Sequence, residues 1–405
     1  ATGVMSITID ADTTADLSTV SGSATQSATF TNNITFTGNL DSVATTVDSG
    51  VTLTIDASIL AGIVLTNNGS LIINDANGQD FSSFDLNGNG TITVNALGAG
   101  GVIDFSGVDV SGVTGGSINL VGGGGADDIT GTSIADIITA GTGSDTISAG
   151  SGNDTINISA GSLASTDTIS GGGDSDTLVI STSHTLNSGD FTNVSGIETL
   201  EVASDNMNVN INNAATDITH IDGTNATTLD VDASTRVNGI TVTGSAGIDT
   251  LTGGSGVDTL IGNAGDDTLI GGAGDSLLGG NDDDVLSISG LASALDGGAG
   301  IDTLTVTSSG LDLSALDLSS LENITLDTGG NSSVKLSQTD ASGSNLTGDG
   351  NTNTIEIDAT ADLDLSAINN TNIDIFKVAA TGGGALSITG SSVNDEITGS
   401  NDQEI

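Results

Sequence analysis

The sequence predicts an all-β chain, and three observations carry that prediction. Burial must come from Ile, Leu, Val and Ala, helped by the methyl groups of many Thr, because there are seven Phe and no Trp or Tyr. Their β-branched members favour strands. Sixty Gly, with abundant Asn, Asp and Ser, put turn residues at short intervals,. Lys, Arg, Glu and Gln, the usual surface residues of helices, are scarce,.

Element by element, residues 1–120 hold short alternating runs such as SITID, NITFTG, VTLTID, SLIIND and TITVN. They suit the rungs of a β-solenoid or the strands of a sandwich. From 121 to 180 the texture becomes a repeat of nine residues: GGGGADDIT at 122, GTSIADIIT at 131, AGTGSDTIS at 140, AGSGNDTIN at 149 and, after an insertion, GGGDSDTLV at 171. A β spacer fills 181–243. A second block spans 244–305, with GSAGIDTLT at 244, GGSGVDTLI at 253, GNAGDDTLI at 262, GGAGDSLL at 271 with one residue missing, GGNDDDVLS at 279 and GGAGIDTLT at 297. A second spacer occupies 306–386. At 387–405 a third block opens with GSSVNDEIT and is cut short. Both spacers pass through an [IL]-E-x-[IL] segment, IETL at 197 and LENI at 321, so block plus spacer reads as a duplicated module.

The net charge is −49, built from 46 Asp and six Glu against Arg236, Lys335 and Lys377. Self-repulsion on that scale opposes compaction unless cations from solution bind. Nucleic acid and anionic membrane are therefore excluded as expected partners, and the bland alternative is a solvated acidic surface. No Cys is present, and no apolar run is long enough to span a bilayer,. The opening ATGVMSITIDAD is not a signal peptide. Because the chain starts without Met and stops inside a repeat, the natural protein is expected to be longer.

The repeat unit is G-G-x-G-x-D-x-U-x, with U an Ile or Leu. Glycines allow a tight loop to turn successive carbonyl oxygens inward, an aspartate closes the loop, and x-U-x forms a short strand with one inward side chain. Calcium accepts six to eight oxygens from such a mixture. The unit resembles the calcium-binding nonapeptide of the RTX (repeats-in-toxin) family. The resemblance implies parallel β-rolls that bind several Ca2+ ions, alternating here with solenoid or sandwich-like segments. Carried over position by position, the candidate aspartate ligands are Asp127, Asp136, Asp145, Asp154, Asp176, Asp249, Asp258, Asp267, Asp275, Asp284, Asp302 and Asp395. The candidate loop glycines are Gly123, Gly125, Gly141, Gly143, Gly150, Gly152, Gly254, Gly256, Gly265, Gly272, Gly274, Gly298 and Gly300.

In the implied roll two nonapeptides make one coil. Asp127 should then share its surroundings with Asp145, Asp136 with Asp154, Asp249 with Asp267, and Asp267 with Asp284. Asp266 occupies a variable position and should face solvent. The shortened repeat at 271–278 should be the most distorted. GTSIADIIT lacks two glycines and GGGDSDTLV has Asp in place of one, which puts those two sites in doubt. Without metal the facing carboxylates repel, so calcium binding should be coupled to folding.

Other constellations point to plainer roles. DLNGNGTITVNA at 85–96 begins like an EF-hand loop but has Ala96 where a bidentate Glu belongs, so it reads as a polar turn between strands. His184 and His220 form no zinc motif and are expected to be exposed strand residues. No nucleophile elbow and no phosphate loop occur.

The resemblance implies secretion by a Gram-negative bacterium through a type I system and a location outside the cell or on its surface. The expected function is a calcium-dependent structural cell-surface protein resembling S-layer subunits, not an enzyme, whose chief partner is itself in a lattice or fibre. Cell-surface polysaccharide, reached through a segment beyond this one, is a second candidate partner. The alternatives are an adhesin or biofilm-matrix stalk, and the non-catalytic region of a secreted hydrolase.

Overall fold

The computed structural model describes residues 5–9, 26–30, 34–36, 43–57, 63–74, 78–79, 81, 84–96, 100–158, 163–182, 185–213, 215, 217–380, 387–390 and 392–399. Two compact units divide the chain, one taking in 1–184 with 188–201 and the other 185–187 with 202–405.

In the first unit consecutive strands alternate between sheets and pair in parallel with the strand one coil away. Val43–Val47, Val64–Asn67 and Asp85–Gly88 stack in one sheet. The intervening Thr52–Asp56, Ser70–Asn74 and Thr91–Asn95 stack in another. The described parts of residues 1–120 are thus solenoid rungs, because a sandwich would need antiparallel neighbours,. The EF-hand-like stretch is the turn between Asp85–Gly88 and Thr91–Asn95, with Asn87 Nδ2 donating to Asp85 Oδ1 at 2.9 Å.

The core is built from columns of inward side chains, one residue per coil in each. Register carries Ile55 onto Ile73, Val94, Leu120, Ile138, Ile156 and Leu178 in turn, and none is more than 1 % exposed. Strands about 4.8 Å apart bring each branched side chain against the next. The same column therefore runs from the irregular N-terminal rungs into the nonapeptide block. On a neighbouring sheet Ile103, Ile129, Ile147, Ile169 and Val194 do likewise.

The second unit repeats the plan. Val209, Val231, Leu251, Leu269, Leu286, Leu304, Ile324 and Leu346 form one buried column. The parts of both spacers that fall here are more parallel rungs, including Met207–Asn210, Leu229–Asp232 and Asn323–Leu326. A third sheet stacks Ser332–Leu336, Asn353–Ala359 and Ile375–Ala380. Among the described residues of this unit helix is limited to Gln338–Gly343, capped by the Ser337 side chain, and the 3-10 turn Leu365–Ala367. Among the described residues no helix is long and apolar enough to cross a membrane.

The missing residue at 271–278 leaves the strands undisturbed. Leu260 still faces Leu277, and Leu269 still faces Leu286. The deletion is absorbed in the turn before Asp275, where Gly272 N–H donates to Asp275 Oδ2 at 2.6 Å. The expected distortion of the roll is therefore confined to one turn. His220 is half-buried at the start of His220–Asp222 rather than exposed, and His184 lies outside the described residues.

Candidate metal centres

Each nonapeptide delivers its aspartate to the mouth of a loop just before the strand, and there the side chain turns inward. Asp127, Asp136, Asp145, Asp154, Asp176, Asp249, Asp258, Asp267, Asp275, Asp284 and Asp302 are all at most 2 % exposed. They form ladders up the edges of the solenoid, in which the backbone N–H of one aspartate donates to the carboxylate of the next coil, the first rungs of three ladders accepting instead from Gly101, Leu229 and Ile240. Asp127 donates to Asp145 Oδ1 at 2.9 Å and Asp145 to Asp167 Oδ1 at 3.1 Å. Asp136 donates to Asp154, Asp154 to Asp176 and Asp176 to Glu198 Oε2, each at 2.8 Å. In the second unit the sequence is Asp249 to Asp267, Asp267 to Asp284, Asp284 to Asp302 and Asp302 to Glu322 Oε2, again at 2.8 Å. On the opposite edge Asp258 donates to Asp275 Oδ1 at 2.8 Å.

Three ladder members are additions to the sequence-derived set. Asp167 stands in a nonapeptide without glycines, yet its DTIS repeats the DTIS of Asp145. Glu198 and Glu322 are the glutamates of the two [IL]-E-x-[IL] segments, and each ends a ladder. Asp395 lies inside the strand Asn394–Gly399, opposite Phe376, and its side chain is outside what the structure describes. Asp266 is exposed, accepting at Oδ1 from Asp283 N–H at 3.1 Å.

The second carboxylate oxygen sorts the candidates. Oδ2 of Asp127, Asp154, Asp176, Asp267, Asp284 and Asp302 is buried without a hydrogen-bond partner. Such an atom is costly unless something positive meets it. At Asp136 and Asp249 a hydroxyl residue replaces the second glycine and closes the carboxylate instead. Thr132 donates from N to Oδ2 of Asp136 at 2.6 Å and reaches both oxygens with Oγ1. Ser245 does the same for Asp249, with N to Oδ2 at 2.6 Å and Oγ to Oδ1 at 2.8 Å. Asp258 and Asp275 are closed by the backbone N–H of Gly254 and Gly272 at 2.6 Å.

Electrostatics follow from this crowding. Burial, opposed by the backbone hydrogen bond from the preceding coil and reinforced by adjoining carboxylates, pushes Asp154 and Asp267 up to about 7 and Asp284 up to about 6. Burial likewise pushes Asp136 up to about 6, with the Thr132 hydrogen bonds working the other way. Asp127, Asp145, Asp176, Asp249, Asp258 and Asp302 are also raised, burial being the main cause.

Glycine serves the site in two ways. Gly123, Gly125, Gly141, Gly143, Gly150, Gly152, Gly265, Gly274 and Gly298 have φ in the left-handed region. Gly254, Gly256 and Gly300 do not; close approach of the neighbouring coil's backbone excludes a side chain there. Gly272 meets neither condition. Asp174 and Asp282 replace glycine with φ of 77° and 75°, a conformation that Asp tolerates better than most residues. The first glycine of the repeat, absent from the sequence-derived set, leaves room at the orphan oxygen: a Cβ on Gly262 or Gly279 would overlap Oδ2 of Asp267 or Asp284. Beside Asp154 the corresponding residue is Ala149, so this room is not common to every repeat.

These features fit calcium. Buried carboxylate oxygens lack donors, the loops are lined by backbone, and the crowded negative charge needs a counter-ion. Among the described residues no three His, Cys, Asp or Glu side chains converge, so backbone carbonyls must supply much of any coordination shell,.

Residues 121–156, 163–179 and 243–278 match the family model of the RTX calcium-binding nonapeptide repeat, in four copies. The chain carries RTX calcium-binding repeats, and these bind multiple Ca2+ ions. Repeats of this kind are typical of secreted, extracellular proteins, in which they typically form a structural rather than a catalytic unit. Among curated proteins no relative matches the chain.

Proposed function

We propose that this chain is a non-catalytic, calcium-dependent structural protein of the bacterial cell surface, a subunit that assembles with copies of itself into an S-layer lattice. The orphan-bearing aspartates are its calcium ligands, with Asp145, Asp258 and Asp275 supporting the loops in which they stand. The observation that carries the reading is the use of the chain: its described residues build stacked rungs and the buried carboxylate ladders that join them.

Exposed loop residues supply support for self-association. In the second unit Val257 is 70 % exposed, Ile248 63 %, and Val237 and Ile301 61 %. All lie in loops, and Ile248, Val257 and Ile301 immediately precede a ladder aspartate. Apolar side chains presented at the ends of rigid coils suit contacts between subunits.

Negatively stained images of the protein in millimolar calcium test the proposal. A periodic two-dimensional sheet that disperses on chelation is expected, and charged replacements Ile248→Asp and Val257→Asp should prevent it. Isolated rods that never form a sheet would sink the lattice in favour of an adhesin or matrix stalk. Hydrolytic activity on a polymeric substrate would overturn the non-catalytic reading.

A further inference from the structure

The nonapeptide array of the second unit is flanked by coils in which a buried side chain of the protein itself donates to inward backbone carbonyls. On the N-terminal side this is Arg236. Its segment TRVNGITVT, 235–243, lies eighteen residues before GGSGVDTLI and keeps the same pairing, with Ser255 N–H donating to Arg236 O at 2.8 Å. Ile240 stands where the next coil has Asp258, so this nonapeptide has no carboxylate. Arg236 takes the place of the second glycine and is 1 % exposed. Its guanidinium reaches the preceding coil, where Nη1 donates to Ala215 O at 2.7 Å and Asn212 O at 3.3 Å and Nη2 to Ile218 O at 2.8 Å.

The hydrogen bonds of this buried cation go to backbone carbonyls, its Nε is left without a partner, and the Asp258 carboxylate of the next coil acts on it through charge without a hydrogen bond. The ion pairs found among the described residues belong to Lys335, not to this arginine. Burying a guanidinium without a hydrogen-bonded carboxylate is costly unless the surrounding oxygens need a positive partner. Three inward carbonyls create that need, and it is the need that calcium meets elsewhere.

On the C-terminal side the equivalent is Asn353. GDGNTNTIE, 348–356, follows the nonapeptide pattern with Asn in the aspartate position. Asn353 is fully buried, and its Nδ2 faces Asn351 O at 2.8 Å, Asp349 O and Asn372 O at 3.2 Å, and Asp349 Oδ1 at 3.3 Å. Four oxygens around one nitrogen fix the orientation of the amide. The charge balance of these coils differs too: Lys335 and Lys377 alternate with Asp312, Glu356 and Glu396 along the strand register. All three basic residues of the protein thus lie outside the nonapeptide arrays.

We infer that Arg236 and Asn353 are resident surrogates for calcium, and that the coils holding them, 207–243 and 332–380, keep their fold without metal while the array between them orders only when calcium binds.

Hydrogen exchange of the whole chain, read peptide by peptide with calcium and with chelator, tests this. In chelator, peptides from 207–243 and 332–380 should exchange at least about tenfold more slowly than those from 244–305. Equal exchange in all three would overturn the inference. Arg236→Gly should lose protection over 207–222 even in calcium, and dilute guanidinium chloride should restore it where sodium chloride of equal ionic strength does not. Undiminished protection in the variant, or rescue by neither salt, would count against the surrogate role. Asn353→Asp should convert the coil to metal dependence, with protection over 345–375 present in calcium and lost in chelator. Protection that ignores chelator, or is absent in both conditions, would refute it.

Discussion

Asp284 and Asp302 sit one coil apart on one edge of the second unit, joined by a 2.8 Å hydrogen bond from Asp284 N–H to Asp302 Oδ1, while Oδ2 of each is buried with no partner. One oxygen of each carboxylate thus holds the stack together and the other is left for something positive. That division makes the first prediction. Asp284→Asn should preserve the shape of the side chain yet remove a charge that a metal needs. Bound calcium per chain, counted by atomic spectrometry after desalting, should fall, and the calcium midpoint of folding should rise several-fold. Asp266→Asn, at an exposed carboxylate, should change neither value.

Thr132 and Ser245 close their ladders with a hydroxyl where other repeats leave an orphan oxygen. Thr132→Val and Ser245→Ala would strip a donor from the buried Asp136 or Asp249. Each should lower stability by about 1–3 kcal/mol, the usual cost of an unsatisfied buried acceptor. Denaturation in saturating calcium should record that loss with little change in bound calcium, because these two aspartates are satisfied by protein donors.

What was legible in the sequence, and what was not, follows from how strictly each segment keeps its period. In the nonapeptide blocks the inward residues Ile129, Ile138, Ile147 and Ile156 and the aspartates before them recur at a fixed interval, so strand, core and loop could be read together. In the N-terminal region the same stacking is hidden. Eighteen residues separate Leu53 from Leu71, twenty-one separate Leu71 from Ile92, and twenty-six separate Ile92 from Ile118, because loops on the outside can vary without moving the rung,. Glu198 and Glu322 were visible as a shared pattern but not as ladder ends, since an insertion places Glu198 twenty-two residues after Asp176. Arg236 gave no signal as a site. Only the folded coil shows that its guanidinium meets three carbonyls.

The stacked core sets a third prediction. Leu269 is fully buried between Leu251 and Leu286, whose positions the strand register fixes. Leu269→Ala should cost about 2–5 kcal/mol in saturating calcium. Val257→Ala, at a side chain 70 % exposed, should shift stability by no more than about 0.5 kcal/mol,. Urea denaturation followed by circular dichroism distinguishes the two.

The raised aspartates fix the sign of the pH dependence. Asp154 and Asp267 are pushed up to about 7 and Asp284 to about 6 in the folded chain, from an ordinary value of 3.8. Between those limits the folded state binds more protons than the unfolded one, so stability must fall as pH rises. Metal-free protein should therefore be most ordered near pH 4, where the carboxyls are neutral, and lose β structure as pH climbs toward 7. Calcium supplies the opposing charge and should restore the fold at neutral pH. Its binding should release protons, so that the calcium midpoint rises as pH is lowered. Circular dichroism across this range, with and without calcium, measures both trends. A metal-free chain that gained β structure on going from pH 4 to 7 would contradict the assignment of these buried carboxylates as the groups that hold the apo state open.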